Sequence, residues 1–214
     1  MDYAVIGHGR SPEGRGWGPK IDACGVVVRM WNWHWQKPED YGTRYDYGLL
    51  EVAPSETERF EQNNKHTPTL GWLLLTLRDA EQCTPPTPNE KIVATEWVKL
   101  ARSMGGRGEE KHGGRLEFCR GTQAGCWAIE HAAPGDRVIL VGHDYVSLGR
   151  SQVVSEAISP EYMNSGGFWP YTENFYRPNV RRFGWTDYGI EYPTMHRLAT
   201  NLGVELVLAQ AIWP

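Results

Sequence analysis

A histidine and an arginine sit among glycines near the start of this chain, Gly7-His8-Gly9-Arg10, directly after the apolar run Ala4-Val5-Ile6, and the glycines continue at Gly14, Gly16 and Gly18. Glycine permits close backbone approach and positive φ, so such a loop can turn main-chain N–H groups toward a ligand phosphate. His8 can donate to that phosphate, and Arg10 can pair with it through two parallel N–H groups. A second pair, His143-Asp144, follows the apolar run Val138-Ile139-Leu140-Val141. There an imidazole oriented by a carboxylate can act as proton acceptor or donor. The alternative for His143 is a structural histidine satisfied within the fold.

Aromatic residues form the next group. Ten Trp and ten Tyr are present, and they bunch in Trp31-Asn32-Trp33-His34-Trp35 and Phe168-Trp169-Pro170-Tyr171. Trp33, Trp169 and Tyr171 offer flat faces on which a sugar or a base can stack, against the plainer reading that they fill the core. Arg177, Arg181 and Arg182, near Phe175 and Tyr176, offer charge to an anionic acceptor, with Arg181 taken as the contact; the plainer reading is a solvated loop. Glu130-His131 imitates part of a metal motif, but no second ligand pair stands at helical spacing and no metal is assigned. Cys24, Cys83, Cys119 and Cys126 form no C-x-x-C pair.

These residues need elements to position them. With 214 residues and no polar or charge-rich linker, residues 1–214 read as one domain. Strands are expected at Tyr3 to Ile6, Val26 to Val28, Tyr47 to Val52, Arg137 to Gly142 and Val204 to Leu208. Helices are expected from Leu70 to Leu77 onward, ending before Pro85-Pro86-Thr87-Pro88, over Thr122 to Ala133 and over about Ile190 to Asn201, the last stopped by Gly203, while Ile92 to Met104 fits either a strand or a helix. Alternating strands and helices, with strands rich in Val, Ile and Leu, predict a single-domain α/β fold: a Rossmann-like parallel sheet with helices on both faces. Ligands in such sheets bind at the carboxyl ends of the strands, which brings Gly7 to Ser11, Trp31 to His34 and His143 to Tyr145 together. A net charge of −4 argues against affinity for nucleic acid through a broadly basic surface. The chain opens directly with a strand and carries no 18-residue apolar span, so a cytoplasmic protein without a membrane contact is expected.

The segment from Val5 to Trp31 resembles, without a gap, the long sialyl motif of sialyltransferases, V-V-G-N-S-G, glycines, I-D-x-x-D-x-V-x-R-M-N, then D-V-G. The matching residues are Val5-Ile6-Gly7-His8-Gly9-Arg10, Gly14, Gly16, Gly18, Ile21-Asp22, Val27, Arg29-Met30-Trp31, and Asp40-Tyr41-Gly42. Thr122-Gln123-Ala124-Gly125, with the helix to Ala133 and Val141-Gly142-His143, resembles the short sialyl motif. Thr186-Asp187-Tyr188-Gly189-Ile190-Glu191 stands where the family has H-x-x-x-x-E. The stretch from about Ala53 to Glu117 adds nothing to the likeness. His8 and Trp31 replace family asparagines, with Asn32 beside the second, and Thr186 replaces the histidine that serves as catalytic base. Tyr3 and Gly135 stand where the family has cysteines, which fits a reducing compartment.

The resemblance implies glycosyl transfer from a nucleotide-activated sugar, CMP-linked in the family, to an acceptor hydroxyl, with inversion at the sugar. It implies donor contacts from Gly7, His8, Gly9, Arg10, Asn32, Thr122, Gly125 and Glu191. With Thr186 in the histidine position, the adjacent Asp187 is the first candidate base, and it also reads as the N-cap of a helix starting near Tyr188. His143 with Asp144 is the second candidate. The sugar nucleotide is a co-substrate, and no cofactor is expected. The acceptor is a glycan, a small molecule or a modified DNA base, the last in the manner of phage enzymes acting on a hydroxymethylated base. The rival class is a nucleotide-binding module without catalysis.

Overall fold

The computed structural model describes residues 1–7, 9, 11–30, 37–52, 67–76, 87–108, 113–143, 182–183 and 186–214. Seven parallel strands form one sheet: β1 (Asp2–Ile6), β2 (Val26–Met30), β3 (Tyr47–Val52), β4 (Gly71–Thr76), β5 (Asn89–Lys91), β6 (Arg137–Val141) and, near the C-terminus, β9 (Glu205–Leu208). Their spatial order is β5-β4-β3-β2-β1-β6-β9. β7 (Arg182–Phe183) and β8 (Thr186–Asp187) form a separate antiparallel pair. The helices are α1 (Gly18–Asp22), α2 (Pro38–Tyr41), α3 (Thr95–Ser103), α4 (Arg120–His131), α5 (Tyr188–Leu202) and α6 (Ala209–Ile212).

Alternation along the central strands builds a core on each face of the sheet. Tyr3 and Val5 of β1 and Val138 and Leu140 of β6 pack with Trp97 of α3, Trp127 and Ile129 of α4, and Met195 of α5. Ala4, Ile6, Ile139 and Val141 pack on the other face with Ile21 of α1, Tyr41 of α2 and Ala209 of α6. Central strands with both faces covered are mainly apolar, which is why they read as Val, Ile and Leu runs, with Arg29 of β2 a buried departure.

The α/β, Rossmann-like parallel sheet is therefore as expected, with one element corrected. Gly71–Thr76, in the run expected to open a helix, is strand β4, hydrogen-bonded between β3 and β5. A short continuous apolar run has no period that separates a buried strand from a buried helix. Its side chains divide between the faces instead: Leu73 enters the core beneath α3 and α4, while Trp72 meets Tyr45 edge to face at 6.0 Å. The undecided segment Ile92 to Met104 resolves as α3, and β5 is a polar, exposed edge strand.

Candidate functional site

The strand order reverses between β1 and β6. From β1 the chain steps outward through β2, β3, β4 and β5, then returns to the far side of β1 as β6. At such a switch point the loops leaving two neighbouring strands run to opposite faces, and a crevice opens at the carboxyl ends. Here those ends are stitched together. The Gly7 amide donates to the Val141 carbonyl at 2.7 Å, and the Gly9 amide to the Gly142 carbonyl at 2.8 Å. A β-carbon on Gly7 would lie 2.6 Å from the Gly142 oxygen, and Gly142 itself has φ +66°. Both positions therefore demand glycine.

His143 follows directly and is buried, with its imidazole edge against Gly7. Burial pushes the imidazole down to about 4, although a hydrogen bond with the Val5 backbone pulls the other way. The ring is therefore neutral at pH 7, and its proton affinity is close to that of a carboxylate.

The expectation that the glycine amides face a phosphate needs correction. The amides of Gly7 and Gly9 are spent on β6, and those of Gly14 and Gly16 donate to the Asp40 carboxylate at 2.7 and 2.9 Å. The first two glycines serve backbone approach, and the next two wrap an internal carboxylate. A polar backbone group inside a fold must find a partner, and the protein supplies these from its own chain.

The motif residues of α4 and α5 also meet, but inside the protein. Glu191 is fully buried. Its Oε1 accepts the Cys119 amide at 2.7 Å, and its Oε2 accepts the Cys119 thiol at 2.9 Å and the Thr122 hydroxyl at 2.5 Å. Cys119 is the residue that caps α4, so this carboxylate sits against the positive end of the helix. Burial and the neighbouring Glu191 hold the Cys119 thiol well above its ordinary range, as a proton donor. Gly125 lies under Met195, whose sulfur would be 2.5 Å from an added β-carbon. Thr122, Gly125 and Glu191, expected at a donor, thus join α4 to α5 here. The tertiary contact takes up the groups that the motif likeness assigned to the ligand.

Arg29 is buried and donates through Nε to the Arg44 carbonyl and through Nη2 to the Tyr41 carbonyl, both at 2.7 Å, with Asp22 at 4.0 Å. Burial lowers its guanidinium to about 10, and Asp22, Tyr45 and Asp46 oppose that shift. It remains charged at pH 7. Glu130 accepts the Trp97 indole N–H at 2.7 Å, while the His131 Nδ1 meets the Trp127 carbonyl at 2.8 Å. Among the described residues no group of three His, Cys, Asp or Glu side chains is arranged to hold a metal ion. Nor is any helix there long and apolar enough to cross a membrane.

Asp187 is placed by its backbone, in β8 opposite Arg182 and directly before α5. His8, Arg10, Asn32, Trp33, Asp144, Trp169, Tyr171 and Arg181 lie outside the described residues. Asp40, Tyr41, Cys119 and Gly142 appear in the sequence reading only as motif positions or as an unpaired cysteine, without the roles the structure gives them. A signal existed for the first two: Pro38-Glu39-Asp40 is a helix start rich in acid, and a Gly follows it at 42.

No protein-family model matches the sequence, and no curated protein matches it. A solved structure does. The crystal structure of a mammalian sialyltransferase superposes with a TM-score of 0.52 at 14% identity, over 96% of this chain and 68% of that one. The fold is sialyltransferase-like. At that identity the likeness concerns the path of the backbone.

Proposed function

We propose that the chain is a glycosyltransferase that draws a sugar from a nucleotide donor and passes it, with inversion, to an acceptor hydroxyl. The observation that carries this reading is the reversal of strand order between β1 and β6, where Gly7, Gly9, Gly142 and His143 converge in a sialyltransferase-like fold. Because the described glycine amides are internally bonded, the leaving phosphate is met by side chains from the same loop, with His8 and Arg10 flanking Gly9 in sequence. Asp187 takes the acceptor proton; His143, neutral and buried, is the second group for that role. The donor nucleotide is CMP first, after the resemblance, and the transfer runs on protein side chains without a metal. The acceptor is a glycan, a small molecule or a modified DNA base.

Melting curves with CMP, UDP and GDP, followed by hydrolysis of the matching sugar nucleotides with and without EDTA, test the reading. One nucleotide should raise the melting temperature. Its sugar conjugate should be hydrolysed slowly in EDTA, at least a hundredfold more slowly by Asp187→Ala. Stabilisation without any turnover would make the chain a nucleotide-binding module. If no nucleotide changes the curve and no sugar nucleotide is consumed, the transferase reading fails.

A further inference from the structure

We propose that Asp40 and Tyr41 are positioning residues of the donor site: α2 clamps the glycine loop in one shape, so that the nucleotide meets a preformed loop. This rests on the transferase reading.

The loop that leaves β1 is held in part from α2. Gly14 and Gly16 adopt left-handed φ values of +71° and +63°, and among the described residues, chain neighbours apart, no heavy atom lies within 4 Å of where a β-carbon would stand on either. The Asp40 carboxylate, itself buried, accepts both amides, one on each oxygen, and between them the Arg15 amide donates to the Pro12 carbonyl at 3.0 Å. Two N–H groups converging on one carboxylate form a charge-assisted pair with a defined direction, and a glycine-rich segment has more conformational freedom to lose than any other.

Further contacts come from the same short helix and its cap. Tyr41 donates its hydroxyl to the Gly9 carbonyl at 3.0 Å, and Lys37 reaches Glu13 at 3.5 Å. Gly18 opens α1 so close to α2 that a β-carbon there would stand 2.0 Å from the Pro38 oxygen. α2 is in turn fixed from below, because the Arg29 guanidinium binds the Tyr41 carbonyl. One chain of contacts thus runs from a buried cation in β2, through Tyr41, to Gly9 at the mouth between β1 and β6.

A ligand that binds only the clamped loop loses apparent affinity in proportion to the fraction of molecules in which the loop is unclamped. Asp40→Asn keeps the shape but turns one acceptor into an N–H₂ group that opposes a backbone donor. Tyr41→Phe removes only the hydroxyl. Two readouts are taken on each variant: amide hydrogen exchange by NMR, and the dissociation constant for CMP, UDP or GDP by calorimetry. In Asp40→Asn, exchange at Gly14 and Gly16 should accelerate at least tenfold while Ile139 and Leu140 keep wild-type protection, and the dissociation constant of the nucleotide that binds should rise about tenfold. Tyr41→Phe should act in the same direction by about threefold, which keeps the test alive if the first variant fails to fold. A wild-type chain that binds a nucleotide, with folded variants that bind it equally well, overturns this proposal alone. A wild-type chain that binds none of the three nucleotides brings down the transferase reading and this proposal with it.

Discussion

Acidification from pH 7 to pH 5 should weaken the fold through His143 in a way that one substitution isolates. The imidazole has an ordinary value of 6.5, and burial holds it at about 4 in the folded chain. A group with a depressed folded value stays neutral in the native protein while the unfolded chain takes up a proton. Its contribution is therefore complete above pH 6.5 and is lost as pH falls toward 4. Linkage between those two values gives a loss of about 0.2 kcal/mol at pH 7, about 0.8 at pH 6 and about 2 at pH 5, levelling near about 3 kcal/mol below pH 4. Urea denaturation at the three pH values, on wild type and His143→Gln, reads this directly. Carboxylate titrations are common to both proteins and cancel in the comparison, so wild type should lose about 2 kcal/mol more than the variant between pH 7 and pH 5. Parallel pH profiles for the two proteins would refute the reasoning, because they would mean the ring is not held neutral by the fold.

Gly7→Ala should destabilise the protein by about 1–3 kcal/mol, as overpacking commonly does, since the new methyl meets the Gly142 carbonyl at 2.6 Å and backbone must move. Denaturation midpoints measure it, and a variant as stable as wild type would show that the β1 and β6 ends are not locked together. Thr122→Val removes one donor from the buried Glu191 carboxylate; the expected cost is about 1.5–3 kcal/mol, or a melting temperature lower by about 3–10 °C, read by circular dichroism. An unchanged melting temperature would mean that the hydroxyl does not support that carboxylate.

The sequence by itself determined the sheet and its direction. Val26 to Val28 and Val138 to Val141 are apolar at every position because they are covered on both faces, a requirement written residue by residue. It also marked the glycine loop that starts at Gly7 as a place where backbones come close, and it placed the crevice at the carboxyl ends of the strands that carry Gly7 and His143. Tertiary structure decided what the polar groups do there. Whether the amides of Gly14 and Gly16 face a phosphate or a side chain depends on where Asp40 arrives, 24 residues beyond Gly16. Whether Glu191 faces a ligand or the start of α4 depends on how two helices distant in sequence cross. Local pattern fixes which face of an element is apolar. The partner of a hydrogen bond is fixed by three-dimensional proximity, and over Gly71–Thr76 even the choice between strand and helix waited on the neighbours β3 and β5.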